Sequence, residues 1–342
     1  MKKDVIIIAE AGVNHNGELE LAKKLIEEAA LSGADYVKFQ TFKAENVVTK
    51  SASKALYQSK NIDDQDDSQY NMLKKLEIPF DWHLKLIEHA SSFGIKFLST
   101  GFDVESIDFL HSLGLDFFKI PSGEITNKPY LKHIASKGIP IVISTGMANM
   151  KEIEEALKIF TNNGLKKQDI TVLHCNTEYP TPLEDVNLKA MNFIRDNFNV
   201  NIGYSDHTLG IEVSIAAVAL GAKIIEKHFT LDKSMKGPDH IASLNPNEFK
   251  NMVTAIRNIE ESISGSGIKE PSASEFKNLK VVRKSLYFRN NFINGHIIKH
   301  KDLITLRPGN GVSPMKIDYF IGKKLTQDVK KLTLVNHNHF KR

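Results

Sequence analysis

Val5-Ile6-Ile7-Ile8-Ala9-Glu10-Ala11-Gly12-Val13-Asn14-His15-Asn16-Gly17 is the stretch on which the fold turns. Its apolar part, 5–9, is too short for a signal peptide or a membrane span and suits a buried strand. The run stops on a carboxylate, Glu10. An open, doubly wound sheet would favour a GxGxxG turn here to cradle a dinucleotide. Residues 10–17 lack that spacing, so a closed barrel is the better reading.

Outward from this unit, β-branched runs recur at 36–40, 96–99, 117–120, 140–144, 170–175, 201–203 and 223–227. Helical patterns lie between them, among others at 19–32, 81–93, 151–162, 211–220 and 246–263. Strand-length runs alternating with amphipathic helices predict βαβ units and a parallel sheet. Gly33, Gly94, Gly114, Gly138, Gly164 and Gly221 stand where a helix ends and the chain turns into the next strand. Eight units within 1–264 predict an α/β fold of the (β/α)8 TIM-barrel type, which typically takes about 250 residues. The Gly-, Ser- and Pro-rich opening of 265–280 reads as a linker. Beyond it, 281–342 carries turns at Asn294-Gly295 and Pro308-Gly309-Asn310-Gly311 and no long helical pattern, which predicts a small, mostly-β domain. A domain that small buries little core, so docking on a barrel or a second subunit is expected to help it.

Composition narrows the partners. The 342 residues are 41% hydrophobic and 25% charged with a formal charge of +4, and no basic block interleaves with aromatics. Neither nucleic acid nor membrane is an expected partner. A single cysteine, Cys175, excludes an internal disulfide and a multi-cysteine metal site, and fits a cytoplasmic protein. Cys175 and His174 read as packing residues, and His15 stays open between loop structure and substrate contact.

Barrel enzymes place their chemistry where strands end. Those positions carry Glu10, Lys38 with Gln40, Ser99 with Thr100, Lys119 with Ser122 and Glu124, and Ser144 with Thr145. The last three strands add Asn176 to Tyr179, then Ser205-Asp206-His207, then Glu226 with His228. Lysines inside apolar strands are costly unless an anion meets them, so Lys38 and Lys119 with Ser122 and Ser144 point to a phosphate or carboxylate ligand. His207 and His228 leave neighbouring strands and can converge on one cation, with Mn²⁺ or a similar octahedral ion suiting two imidazoles plus oxygens. Glu10, Glu124, Glu226 and Asp239 are the acid/base or anchoring candidates. For each of these groups a rim ion pair or a satisfied structural histidine is the alternative. The long connection 51–71, rich in Ser, Asp, Gln and Lys, suggests a lid.

Taken together, Ile8-Ala9-Glu10-Ala11-Gly12-Val13-Asn14-His15-Asn16-Gly17, Val37-Lys38-Phe39-Gln40, Phe118-Lys119-Ile120-Pro121-Ser122-Gly123-Glu124 and Ser144-Thr145-Gly146-Met147 resemble the sialic (nonulosonic) acid synthase family. Gly203-Tyr204-Ser205-Asp206-His207-Thr208, Glu226-Lys227-His228-Phe229-Thr230 and Gly237-Pro238-Asp239 continue the likeness. Arg307-Pro308-Gly309-Asn310-Gly311 resembles that family's antifreeze-like (SAF) domain. The resemblance implies an enzyme that condenses phosphoenolpyruvate with an N-acyl mannosamine-type aldehyde and water. It assigns Lys38, Thr100, Lys119, Ser122, Ser144 and Ser205 to phosphoenolpyruvate. Glu10, Gln40, Thr177, Tyr179, Asp239 and Arg307 fall to the sugar. His207 and His228 fall to a divalent metal, Mn²⁺ first, with Mg²⁺ or Co²⁺ as alternatives. Glu124 falls to proton or water management. It also implies a homodimer whose small domain caps the other subunit's barrel, carrying Arg307 to the sugar's N-acyl group.

Three positions depart from the pattern common in the family: Gly101, Pro121 and Thr177. The Cys175-Asn176-Thr177-Glu178-Tyr179-Pro180 form is nearer to N,N'-diacetyllegionaminate synthases, with N-acetylneuraminate synthase as the alternative. A lysine Schiff-base aldolase and a non-catalytic polysaccharide- or ice-binding protein are the further rivals.

Overall fold

The computed structural model describes residues 4–62 and 65–341. Eight strands form one parallel sheet: β1 (Ile6–Gly12), β2 (Tyr36–Thr41), β3 (Lys96–Gly101), β4 (Phe118–Ile120), β5 (Ile141–Ser144), β6 (Ile170–His174), β7 (Asn201–Asp206) and β8 (Ile224–His228). Their order is β3-β2-β1-β8-β7-β6-β5-β4, so β1 and β8 pair and the sheet curls round. β3 and β4 lie against each other without a hydrogen-bonded ladder. The three-residue β4 runs straight into Pro121, which has no N–H to donate, and this leaves a nearly closed barrel.

Side chains alternate across each strand, and the inward set changes character along the barrel axis. At the amino-terminal end Ile8, Tyr36, Leu98, Phe117, Val142, Leu173 and Ile224 fill the interior as a separate apolar plug. Two residues further along, on the same faces, stand Glu10, Lys38, Thr100, Lys119, Ser144 and Glu226. Gly203 takes the plug position on β7, where a Cβ would run into Leu173 and the Ile224 carbonyl. The outward set (Ile7, Val37, Phe39, Ile143 and Val172 among others) packs under the surrounding helices as the main core. The helices Leu19–Leu31, Phe80–Ser92, Met150–Asn162 and Pro246–Ile263 fall where the sequence pattern puts them. β1 and β7 run three residues beyond their apolar runs, because polar residues that face the barrel interior still belong to a strand.

The chain divides into compact units at Ser264/Gly265. In the second unit β9 (Ser285–Phe288) and β10 (Leu303–Leu306) pair antiparallel over a small core containing Phe288, Leu303, Phe320 and Leu325. Part of the stretch read as linker is a helix, Ala273–Val282, started by a Ser272/Glu275 capping box and tied to this unit by Gly309 N–H donating to the Lys280 carbonyl. Among the described residues no helix is long and apolar enough to cross a membrane.

Candidate active site at the carboxyl ends of the strands

A cavity of about 460 Å³ opens at the carboxyl end of the barrel. Its floor is a buried charge cluster. Lys38 Nζ lies 2.5 Å from Glu10 Oε2 and 3.6 Å from Glu226 Oε2, and donates to Thr100 Oγ1 at 3.1 Å. The Glu10 contact is one of charge, since that oxygen accepts no aligned hydrogen bond. Lys119 Nζ donates to Glu226 Oε1 at 3.0 Å, Ser205 donates to the same oxygen at 3.0 Å, and Gln40 donates to Glu10 at 3.2 Å. Burial opposes ionisation at Glu226, but Lys119 and Lys38 overrule it and hold its carboxyl below the ordinary range. At Glu10, burial and the neighbouring Glu226 outweigh the lysines and raise the carboxyl. Burial likewise opposes the Lys38 ammonium, yet Glu10 and Glu226 keep its pKa raised. The floor therefore packs two lysines against two carboxylates, of which Glu226 is held firmly ionised. Burying such a cluster does little for stability, and perturbed groups around a cavity are a mark of function.

Unpartnered atoms face the same space: Ser144 Oγ, Glu226 Oε2 and His228 Nδ1 are buried without a hydrogen bond. Buried polar atoms are ordinarily satisfied, so three beside one cavity point to a ligand that completes them. Ser122 Oγ accepts from Gly146 N–H at 2.9 Å and lies 3.2 Å from Cys175 Sγ. Gly146 has no room for a side chain: a Cβ would come within 2.5 Å of the Thr177 methyl and 2.8 Å of Ser122 Oγ.

His207 donates through Nδ1 to the Asn176 carbonyl, which leaves the lone pair on Nε2, at the 3.4 Å limit of a hydrogen bond from Ser205 Oγ. The rings of His207 and His228 are 5.4 Å apart, and that of Tyr179 packs 4.1 Å from His207. Burial lowers the pKa of His207 to about 4 and holds that of His228 well below the usual imidazole range, so both are neutral, the form that binds metals. His228 Nδ1 lies 3.9 Å from Asp239 Oδ2, and burial followed by Glu10 pushes Asp239 up to about 7. This donor set fits a divalent ion in an open site. Among the described residues no group of three His, Cys, Asp or Glu side chains encloses a metal, so water and substrate oxygens would complete the shell.

Of the residues singled out from sequence, Glu10, Lys38, Gln40, Thr100, Lys119, Ser122 and Ser144 line this one cavity. Thr177, Tyr179, Ser205, His207, His228 and Asp239 complete its wall. Glu124 is not among the lining residues: it sits in the 122–124 turn and accepts from Asn127 at 2.6 Å. Arg307 belongs to the second unit, where it is exposed just after β10. His15 belongs to loop structure, taking the Gly17 N–H on Nδ1 at 3.0 Å, and His174 bonds the Val186 carbonyl at 2.9 Å. The residue that sequence reasoning underweighted is Glu226, the hub of the floor. Its signal was its place two residues before His228, on the same inward face.

The chain is similar over nearly its whole length to two bacterial enzymes named N,N'-diacetyllegionaminic acid synthase. That of Campylobacter jejuni subsp. jejuni is 56% identical, covering 97% of this chain and 99% of the relative. That of Legionella pneumophila subsp. pneumophila is 50% identical, covering 97% and 94%. Among solved structures, the N-acetylneuraminic acid (sialic acid) synthetase from Leptospira borgpetersenii serovar Hardjo-bovis, determined with citrate, superposes with a TM-score of 0.69 at 35% identity, covering 80% of this chain and 90% of that one. The model of the NeuB family matches residues 25–269, and with these relatives beside it the chain belongs to the NeuB family.

Proposed function

We propose that the protein joins phosphoenolpyruvate to the open-chain aldehyde of 2,4-diacetamido-2,4,6-trideoxymannose, giving N,N'-diacetyllegionaminate and phosphate in the cytoplasm. The floor carries this reading: its two buried lysines, beside the unpartnered Ser144 hydroxyl and two neutral imidazoles, suit a small polyanion next to a carbonyl. The names of the two bacterial relatives and the presence of Thr177 support this acceptor over N-acetylmannosamine, the alternative. A Schiff-base aldolase is disfavoured, because that chemistry needs a neutral amine, whereas Lys38 is held as an ammonium and Lys119 is ion-paired.

In the reaction, carbon 3 of phosphoenolpyruvate bonds to the aldehyde carbon and the aldehyde oxygen gains a proton. Water adds at carbon 2 and the carbon–oxygen bond to phosphate breaks. Of the water's two protons, one balances the new hydroxyl and the other leaves on phosphate. Lys38, Thr100, Lys119, Ser122, Ser144 and Ser205 hold phosphoenolpyruvate, and Glu10, Gln40, Thr177, Tyr179 and Asp239 face the sugar. Glu226, kept ionised by two lysines, accepts from Lys119 and Ser205 and so fixes both donors at the floor. We assign the water to Glu124 at the rim, since catalytic hydrogen bonds commonly tighten only around substrate. His207 and His228 would hold a divalent ion, Mn²⁺ with Mg²⁺ or Co²⁺ as substitutes, and such an ion polarises a carbonyl oxygen.

Purified protein with Mn²⁺ should release phosphate only when phosphoenolpyruvate and a mannosamine-type sugar are both present. Chelation should abolish the release, and His207→Ala should weaken Mn²⁺ binding in calorimetry. Absence of phosphate with either acceptor would sink the assignment, and full activity after chelation would remove the metal.

Exposed apolar side chains on the loops around the cavity (Met147, Leu183, Leu209 and Ile241) support a homodimer in which a second copy's small domain covers the mouth. The partner subunit's Arg307 then meets the N-acyl group. Arg307→Ala and Lys119→Met proteins should each be inactive, yet a mixed population of dimers should regain activity, up to about a quarter of wild type, because one site in each mixed dimer is intact. No recovery on mixing would mean that Arg307 serves its own chain or none.

A further inference from the structure

Between β2 and the helix Phe80–Ser92 the chain runs through 42–79, where a βα connection typically takes ~2–6 residues. This excursion folds into the helices Ala44–Val47, Leu56–Ile62 and Gln69–Leu76, joined by a bridge between Ser53 and Ser68. Residues 63 and 64, within the stretch read as a lid, lie outside the described residues. Phe42, Met72 and Leu76 pack with Val13 as a small cluster of their own, with Leu73 and Phe102 against it. All six side chains also line the cavity. Val13, Phe42 and Phe102 follow the ends of β1, β2 and β3, so the wall rises above Glu10, Gln40 and Thr100. It stands away from Ser122 and Ser144 on the β4–β5 side. Asn61 donates to the Pro238 carbonyl at 2.7 Å and ties the excursion to the loop that bears Asp239. Lys38 and Lys119, both engaged in the floor, are the only ammonium or guanidinium groups among the described lining residues.

We infer that this wall is the acceptor's specificity surface: it receives the methyl-bearing end of the sugar, its 6-deoxy carbon and acyl methyls. Against these six side chains a hydroxymethyl would lose water without a partner, the nearby Gln58 and Gln69 amides being bonded to each other, and a phosphate would find no cation. The inference rests on the proposed reaction and adds which residues choose the acceptor. Hydrophobic pockets discriminate a single methyl by roughly 10- to 200-fold, so a polar intrusion should erase a factor of that order.

The test compares kcat/KM for 2,4-diacetamido-2,4,6-trideoxymannose and N-acetylmannosamine in wild type, Met72→Gln, Leu73→Gln and the conservative Met72→Leu. Met72 is buried, so Leu73, only half-buried, supplies a variant that keeps its fold, checked by circular dichroism. The preference for the diacetamido sugar should fall at least tenfold in the glutamine variants and persist in Met72→Leu. KM for phosphoenolpyruvate should change less than twofold throughout. An unchanged preference in folded Leu73→Gln overturns the wall and leaves the reaction standing. A wild type that turns over neither sugar overturns the reaction itself.

Discussion

Lys119→Met is expected to lower kcat/KM for phosphoenolpyruvate by roughly a hundredfold to a thousandfold, the equivalent of ~3–4 kcal/mol. Lys119 Nζ is the direct partner of Glu226 Oε1 at 3.0 Å, and the next cation, Lys38, is 3.6 Å from the other oxygen and already committed to Glu10. Its removal costs twice. The cavity loses half of its cationic charge, which weakens the ground-state hold on a polyanion. Glu226 also loses the larger of the two attractions that keep it ionised, so it rises toward the protonated form. Methionine preserves the stem's volume and so isolates the charge. The double variant Lys119→Met/Glu226→Gln separates the two costs. It removes both charges and should recover thermal stability, because no carboxylate is stranded, while staying as inactive as the single variant. Recovery of activity along with stability would show that the pair serves the fold and not the reaction. A single variant within threefold of wild type would remove Lys119 from the site.

How much of this was legible in the sequence follows from the periods involved. The strand-exit residues were readable because a barrel's inward face repeats every two residues, so Glu10, Lys38, Lys119, Glu226 and His228 all declare themselves beside apolar runs. Their pairing was not readable. That Glu226 bridges Lys119 and Ser205, and not a rim cation, depends on which strands are neighbours and in what register, for instance Ser205 opposite Glu226. For Glu124 the spacing shows only a place near the end of β4; its contact with Asn127 in the 3-10 turn 122–124 was not readable. The apolar wall escaped notice because 42–79 is polar in composition. Its scattered apolar residues, Met72, Leu73 and Leu76 among them, gain meaning only when they are seen packed with Phe42 and Val13. The helix Ala273–Val282 had a sequence signal, the capping box at Ser272 and Glu275, which the surrounding Gly, Ser and Pro obscured.

The second large effect is on stability. Asp206 and Lys227 face each other in the register of β7 and β8, both fully buried, with Nζ 3.0 Å from Oδ2. They point outward, between the strands and the helices, while their neighbours Ser205, Glu226 and His228 point into the cavity. Lys227 also donates to the Thr208 carbonyl at 2.6 Å. Asp206 accepts from Thr208 N–H at 2.9 Å, from its hydroxyl at 2.7 Å, and from Ser214 at 2.7 Å. Burial lowers the pKa of the Lys227 ammonium even though Asp206 pulls it up. The pair is therefore expensive to bury, and its attraction only offsets that cost. Lys227→Met leaves Asp206 as an uncompensated buried charge. The expected loss is about 3–5 kcal/mol, a fall in Tm on the order of 10 °C for a unit of this size. Lys227→Met/Asp206→Leu should win back most of the Tm, since a well-packed apolar pair has no desolvation debt. Thermal melts followed by circular dichroism decide the matter. A single variant that melts within 2 °C of wild type would show that Thr208 and Ser214 alone satisfy Asp206 and that the ion pair contributes nothing.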